Sequence, residues 1–221
     1  ELVEPDEPEA SAEPGERREP LHRRRMQAVE DVLVASGARA VLDLGCGEGK
    51  LMARLQGHRH IERIMGVDVS WRALERAARR LDLAGWPDFQ DDRVVLVQGS
   101  LLYRDARLEG FEAAALVEVI EHLDEPKLAT LEETVFGYAR PRIIVVTTPN
   151  REYNAHYEAL DAGAMRHDDH RFEWSRAELA AWAEGVAGRR GYRVRYRGIG
   201  EDVEGLGTPT QAAIFERVEQ G

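Results

Sequence analysis

Two short segments of the sequence carry side chains that could bind a metal ion. Glu118, Glu121 and His122 stand at positions i, i+3 and i+4, so one helical turn would present all three on one face. A second imidazole, His170, comes from a distant segment. Two carboxylates and two imidazoles that converge on one point would form a half-open site for a divalent ion. Beside a nucleotide pocket, such a site would indicate a metal-dependent transferase.

A glycine-rich loop is the second feature that points to chemistry. The stretch Asp43-Leu44-Gly45-Cys46-Gly47-Glu48-Gly49 follows an apolar strand candidate, and glycines there let the backbone approach a ligand closely. Such a loop alone is also compatible with a dinucleotide-binding dehydrogenase or with a simple turn. Its Gly-x-Gly-x-Gly spacing favours another class, as does Asp43, which would meet a cationic amino group. Asp68 ends the next strand, where a carboxylate can accept ribose hydroxyls.

This combination resembles the class I S-adenosylmethionine-dependent methyltransferases over roughly residues 26–218. The resemblance implies that the loop holds the methionine part of the cofactor, that Asp68 holds its ribose and that the adenine lies near Ser100. The implied cofactor-binding residues are Asp43, Gly45, Cys46, Gly47, Asp68 and Ser100. Many members carry an acid at the position of Ser100, whose hydroxyl can still form a hydrogen bond.

The Glu118-x-x-Glu121-His122 step is open to two interpretations. Many class I methyltransferases carry a similar Glu-His step that lines the active site without binding metal. However, the segments Asp169-His170-Arg171-Phe172-Glu173-Trp174-Ser175-Arg176 and Gly99-Ser100-Leu101-Leu102-Tyr103-Arg104-Asp105 resemble the small-RNA 3′-terminal ribose 2′-O-methyltransferase family. Bacterial members of that family act in RNA repair with a kinase-phosphatase-ligase partner. The resemblance implies four metal ligands, which are Glu118, Glu121, His122 and His170.

The resemblance also implies an activity, which is methyl transfer to the 2′-hydroxyl of an RNA 3′-terminal ribose, in RNA repair or end protection. A divalent ion would lower the pKa of that hydroxyl. Mn or Mg would suit the mixed ligands, and Co or Fe is also compatible. His167 is a further catalytic candidate, as a general base or a phosphate contact, against the interpretation of an ordinary loop histidine. Two rival functions stay open: a metal-independent small-molecule O-methyltransferase, and a cofactor-binding scaffold for a repair partner.

Several other side chains have two interpretations each. Phe172 and Trp174 either stack on the terminal base or pack in the core and anchor their loop, and we favour packing. Asn150 follows a strand at the edge of the sheet where ligands bind. The run Arg23-Arg24-Arg25 is interpreted as a solvated helix start rather than an RNA contact. The arginines considered for phosphate contacts are Arg140, Arg142, Arg166 and Arg171.

Composition limits the classes of function. The 221 residues carry a net charge of -11, which argues against a broad nucleic-acid-coating surface and against DNA as a partner, although it allows recognition of one RNA end. No apolar run is long enough for a membrane span, so we expect no membrane partner. One cysteine excludes an internal disulfide and is compatible with a cytoplasmic protein.

The element pattern predicts a class I methyltransferase fold of the α/β, Rossmann-like type over residues 21–221. We expect a seven-stranded, mostly parallel sheet with helices on both faces and an antiparallel edge strand. Residues 1–20, rich in proline and acid, predict a flexible linker, which suggests a tether to an upstream domain that would join the repair partner. The predicted strands are Ala40–Leu44, Ile64–Val67, Val94–Val97, Ala113–Val117, Ile143–Thr147, Tyr192–Tyr196 and Ala212–Phe215. A helix is predicted over Leu21–Ser36.

Overall fold

The fold is described by a computed structural model for residues 19–87, 93–157, 160–161 and 163–218. The predicted linker therefore lies outside the described residues, except for Glu19 and Pro20. No helix in these ranges is long and apolar enough to cross a membrane.

One sheet of seven strands forms the centre of the molecule. Its strands are β1 (Ala40–Leu44), β2 (Arg63–Asp68), β3 (Val94–Gln98), β4 (Ala113–Val117), β5 (Ile143–Pro149), β6 (Tyr192–Ile199) and β7 (Thr210–Arg217). They lie in the order β3-β2-β1-β4-β5-β7-β6. The first five strands are parallel, whereas β7 is antiparallel to both of its neighbours. The predicted fold class is confirmed, and every predicted strand falls within an observed one.

The two last strands form the expected antiparallel hairpin at the edge of the sheet. The antiparallel strand itself is not outermost, because β7 lies between β5 and β6. Its first residue, Thr210, pairs with Pro149 at the end of β5. The start of β7 is thereby brought to the carboxyl edge of the parallel strands.

Helices cover both faces of this sheet. They are α1 (Leu21–Ala35), α2 (Lys50–Leu55), α3 (Trp71–Arg80), α4 (Glu125–Glu132) and α5 (Arg176–Arg190), and a π-helical stretch, Glu133–Ala139, continues α4. Successive residues of a strand point to opposite faces. Accordingly, Ala113 and Ala115 of β4 pack with α1, α2 and α3, whereas Ala114 and Leu116 pack with α4 and α5.

Local sequence signals explain where α5 begins and ends. The Ser175 hydroxyl accepts a hydrogen bond from the backbone nitrogen of Glu178, and the Glu178 carboxylate accepts one from the backbone nitrogen of Ser175, which is a complete capping box. The helix ends at Gly191, which has a left-handed conformation with φ of 74°. This fixed start matters because the segment directly before Ser175 carries His170.

Candidate active site

The cofactor loop and the candidate metal segment are in direct contact. Gly45 follows β1 with φ of 78°, and a Cβ atom at this position would lie 2.6 Å from Cγ2 of Val119. Only glycine fits there, because both the backbone conformation and the close approach exclude a side chain. Val119 stands between Glu118 and Glu121 in sequence. The two predicted halves of the site therefore meet at the carboxyl edge of the sheet.

Asp43, near the end of β1, is a buried acid with an unusual pKa. Its side chain is 2% exposed, and its Oδ2 atom has no hydrogen-bond partner among the described residues. Burial, assisted by the negative charge of Asp68, raises the pKa of Asp43 from 3.8 to about 7. An uncompensated buried carboxylate of this kind is suited to a cationic ligand group, as the sequence predicts.

Asp68, at the end of β2, is held by the backbone on both sides. Its Oδ2 accepts a hydrogen bond from the Gly47 nitrogen at 2.8 Å, and its Oδ1 accepts one from the Ser70 nitrogen, also at 2.8 Å. These bonds fix the carboxylate beside the glycine loop, where a ribose is expected. Ser100 follows β3, and its hydroxyl accepts a hydrogen bond from the Leu102 nitrogen at 3.3 Å.

Cys46 packs in the core beneath the loop. It is 7% exposed, and its Sγ would lie 2.9 Å from a Cβ atom placed on Gly66. Burial and the nearby charges of Asp43 and Asp68 raise the pKa of the thiol. Since the thiolate is the reactive form, Cys46 is unsuited to act as a nucleophile.

Three of the four predicted metal ligands form one cluster. Ligand atoms of Glu121, His122 and His170 all lie within 4.8 Å of one another, among the residues that the structure describes. The Oε1 atom of Glu121 is buried without a hydrogen-bond partner there, while Oε2 accepts a bond from the Thr148 hydroxyl at 3.1 Å. An orphaned carboxylate oxygen beside two imidazoles fits a divalent cation.

The electrostatics of this cluster also favour a cation. Burial, and then the charge of Glu118, raises the pKa of Glu121 well above its usual range. Burial lowers the pKa of His122, whose Nδ1 lies 3.2 Å from Oδ2 of Asp169. A neutral imidazole retains the lone pair that a metal ligand needs. A bound cation would stabilise the charged form of Glu121.

Glu118 departs from the arrangement that its spacing suggests. The helical turn begins only at Ile120, and Glu118 precedes it with φ of 54°. Its carboxylate accepts a hydrogen bond from the Thr147 hydroxyl at 2.9 Å and lies 3.0 Å from Nη2 of Arg25. Glu118 therefore does not share a helical face with Glu121, and its role as the fourth ligand stays a prediction.

Arg25 lies near the site, whereas the sequence interpretation placed it at a solvated helix start. It is 6% exposed, and besides its ion pair with Glu118 it donates to the Thr210 hydroxyl at 3.1 Å. The interpretation of a solvated helix start is therefore wrong for this residue. Its only signal was a position in α1 three and four residues before the buried Ala28 and Val29, and that pattern can be recognised only once the helix is placed.

His170 belongs to a segment that is anchored by aromatic packing. Phe172 and Trp174 stack with a centroid distance of 4.4 Å and join the core beneath α5, which agrees with the packing interpretation. Trp174 also forms a β-bridge with Asn150 after β5. The His170 ring packs against His122 and His167, each at a centroid distance of 5.0 Å. His167 is thus brought beside the cluster, where its role stays a prediction.

Three polar residues considered as ligand contacts have structural partners instead. The Asn150 amide donates to the carbonyl oxygens of Leu206 and Thr208, both at 2.9 Å, so it fixes the loop before β7. Arg166 is 8% exposed, and its Nε and Nη2 atoms donate to Oδ1 of Asn154 and to the Asn150 carbonyl oxygen, which corrects its interpretation as a phosphate contact. Its Nη1 is buried without a hydrogen-bond partner among the described residues. Arg142 precedes β5 and lies at the sheet edge opposite the candidate site.

Comparisons with known proteins agree with this fold. A methyltransferase-domain family model matches residues 41–142. The chain is 38% identical over 205 residues to the small RNA 2′-O-methyltransferase of Mus musculus, covering 90% of this chain and 51% of that protein. The chain thus spans about half the length of curated relatives of this kind.

Two groups of solved structures are similar. The methyltransferase domain of bacterial CtHen1 is 46% identical, with a TM-score of 0.79, covering 89% of this chain and 99% of that one. A chain from the Pnkp1/Rnl/Hen1 RNA repair complex has a TM-score of 0.67 at 23% identity, covering 92% of this chain and 43% of that one. The second likeness concerns the fold alone.

Proposed function

The chain belongs to the Hen1 family of small RNA 2′-O-methyltransferases, and from this premise we propose a specific reaction. The chain transfers a methyl group from S-adenosylmethionine to the 2′-hydroxyl of the 3′-terminal ribose of RNA, with the help of a divalent metal ion. One observation carries the proposal. The glycine loop of the methyltransferase fold contacts Val119, and the segment around Val119 contributes Glu121 and His122 to a cluster of potential metal ligands.

The cofactor would be bound along β1, β2 and β3. Asp43 would receive the cationic amino group of the methionine part, which relieves the cost of its buried charge. Asp68, already oriented by two backbone nitrogens, would accept the ribose hydroxyls. Ser100 would lie near the adenine. Because the glycine loop contacts Val119, the residues that would hold the cofactor lie beside the neighbouring cluster.

The metal ion would be held by Glu121, His122 and His170, with Glu118 as a fourth ligand. When bound, a divalent ion supplies Lewis-acid chemistry that lowers the pKa of a ribose hydroxyl and fixes its oxygen. Mn and Mg are the first candidates, since the donor set mixes carboxylate oxygen with imidazole nitrogen. Glu118 would have to turn from Arg25 to reach the ion.

The same residues explain why an RNA 3′ end is the expected substrate. Only a 3′-terminal ribose carries two free neighbouring hydroxyls, and an ion held by Glu121 and the two histidines would still be able to bind further oxygen ligands. His167, which packs against His170, would accept the proton of the 2′-hydroxyl on a ring nitrogen or contact the terminal phosphate.

The biological setting that we propose is RNA repair or end protection. A Hen1 chain forms a complex with Pnkp1 and Rnl, as the name of the repair complex states. Because this chain belongs to the same Hen1 family, we propose a kinase-phosphatase-ligase partner for it. Co-purification of the protein with such a partner would support this setting. Failure of the protein to join any RNA-repair assembly would contradict this setting.

The test of the reaction uses labelled S-adenosylmethionine with RNAs that end in either a 2′,3′-diol or a 2′-deoxy nucleotide, with and without Mn²⁺. We expect transfer only to the diol end and only with metal. Transfer to the 2′-deoxy end, or equal transfer with a chelator present, would refute the proposal. Transfer to small hydroxylated compounds without metal would indicate a small-molecule O-methyltransferase, and cofactor binding without any transfer would indicate a scaffold.

A further inference from the structure

Glu173 is a buried acid directly behind His170 and outside the candidate ligand cluster. Its Oε1 lies 2.6 Å from Nδ1 of His170, and both side chains are almost completely excluded from solvent, at 0% and 3% exposure. One ring nitrogen of His170 is therefore engaged by a carboxylate. A ring nitrogen of His170 lies within 4.8 Å of ligand atoms of Glu121 and His122. Because Nδ1 is engaged by Glu173, Nε2 is the nitrogen left to act as the ligand atom.

The Glu173 carboxylate is itself fixed by a buried network. Its Oε1 accepts a second hydrogen bond from the backbone nitrogen of Arg166 at 2.8 Å, and its Oε2 accepts one from the Asn154 side chain at 2.5 Å. The Arg166 guanidinium donates to Oδ1 of Asn154 and to the Asn150 carbonyl oxygen, both at 2.7 Å. Glu173 thus cannot turn towards the cluster without breaking several buried bonds.

We propose that Glu173 is the positioning residue for His170. A carboxylate has only acceptors, so it requires the proton of the neutral imidazole to be on Nδ1. That choice leaves the lone pair on Nε2, the ring nitrogen that would then act as the metal ligand. A partner behind a histidine ligand fixes both the ring orientation and the tautomer, and its loss typically weakens metal binding by about 10- to 100-fold.

The proposal rests on the proposed metal site for its function, but its structural core can be tested without metal. Nitrogen-15 NMR of the metal-free wild-type protein reports the tautomer of each histidine, and a His170→Gln variant identifies the signal of His170. We expect the Nδ1–H tautomer for His170. An Nε2–H tautomer in the wild-type protein would overturn the proposal, whether or not the protein proves to be a methyltransferase.

The second measurement is Mn²⁺ affinity by titration calorimetry, with a matched control. Glu173→Gln retains the size of the side chain but removes its charge and offers an amide N–H that can donate to Nδ1. We expect its dissociation constant for Mn²⁺ to rise by about 10- to 100-fold. Glu132→Gln is the control, because Glu132 is also buried and paired, with Arg189 and Arg190, but lies away from the cluster in α4. This control should lose stability and retain its affinity for Mn²⁺.

The outcomes separate this proposal from the proposed function. Mn²⁺ binding by Glu173→Gln within twofold of the wild type would overturn the positioning role. An equal loss of affinity in Glu173→Gln and Glu132→Gln would also overturn it, since the effect would then reflect general destabilisation. If the wild type itself binds no divalent ion, the proposed metal-dependent function fails, and the tautomer alone decides the relation between Glu173 and His170.

Discussion

When Asp43 is replaced by asparagine in the cofactor-free protein, the difference in unfolding free energy between variant and wild type should move in favour of the variant as the pH rises. Asp43 is buried beside Asp68, and its pKa is raised from 3.8 to about 7. A group whose pKa is higher in the folded state binds its proton more tightly there, so it opposes folding once the unfolded chain has lost that proton. The loss of unfolding free energy caused by Asp43 begins near pH 4, grows as the pH rises and reaches its full value above pH 7.

The magnitude follows from the same two values. A rise of the pKa from 3.8 to about 7 lowers the unfolding free energy of the wild type by about 4 kcal/mol at pH 8 and, by the same linkage, by about 1.5 kcal/mol at pH 5. The asparagine side chain of the variant would not titrate, although its buried amide carries its own pH-independent cost of about 1–3 kcal/mol. The difference in unfolding free energy between the two proteins should therefore shift by about 2.5 kcal/mol in favour of the asparagine variant between pH 5 and pH 8.

Urea unfolding of both proteins at pH 5 and pH 8 measures this shift, because titrating groups that do not interact with Asp43 contribute equally and cancel. A difference that stays constant with pH would refute the reasoning about Asp43. The same substitution should weaken binding of S-adenosylhomocysteine by about 10- to 100-fold, since one charge-assisted hydrogen bond to the amino group is lost. Unchanged affinity would contradict the assignment of Asp43 to the methionine part of the cofactor.

Three further predictions concern the candidate site. His170→Ala should abolish Mn²⁺-stimulated methyl transfer and leave the affinity for S-adenosylhomocysteine unchanged; full activity would remove the four-ligand interpretation. Gly45→Ala should lower the unfolding free energy by about 1–3 kcal/mol in urea titrations, because its Cβ would lie 2.6 Å from Val119 at a positive φ, and a second change, Val119→Ala, should recover part of the loss. Arg25→Met should cost about 3 kcal/mol in the metal-free protein, because it leaves the Glu118 carboxylate without its arginine; an unchanged melting temperature would show that this pair contributes little.

The sheet was predictable from sequence because its signal is local. Every strand except β6 contains a run of apolar residues, and β6 alternates apolar residues with arginine. The boundaries extend further only where backbone pairing continues past this pattern. Pro149, for example, ends β5 beyond the predicted limit, at the point where it pairs with Thr210. The position of β7 between β5 and β6 was not predictable from such runs, since the order of strands depends on contacts between distant segments.

The candidate site was predictable in its residue types but not in its geometry. The i, i+3, i+4 spacing predicted a shared helical face, whereas Glu118 lies outside the turn with a positive φ. That conformation depends on its contacts with Thr147 and Arg25, which are far away in sequence. The role of Glu173 was also not predictable, because its partners Asn154 and Arg166 belong to no periodic pattern in the sequence.

Protection of the RNA end from periodate tests the central claim most directly. Periodate oxidises a 3′-terminal ribose only when both neighbouring hydroxyls are free, so 2′-O-methylation makes the RNA resistant. We predict that RNA treated with this protein, S-adenosylmethionine and Mn²⁺ becomes resistant to periodate. The same RNA treated in the presence of a chelator should remain sensitive. Methyl incorporation that leaves the RNA end fully sensitive to periodate, or resistance that develops equally with the chelator, would contradict the account.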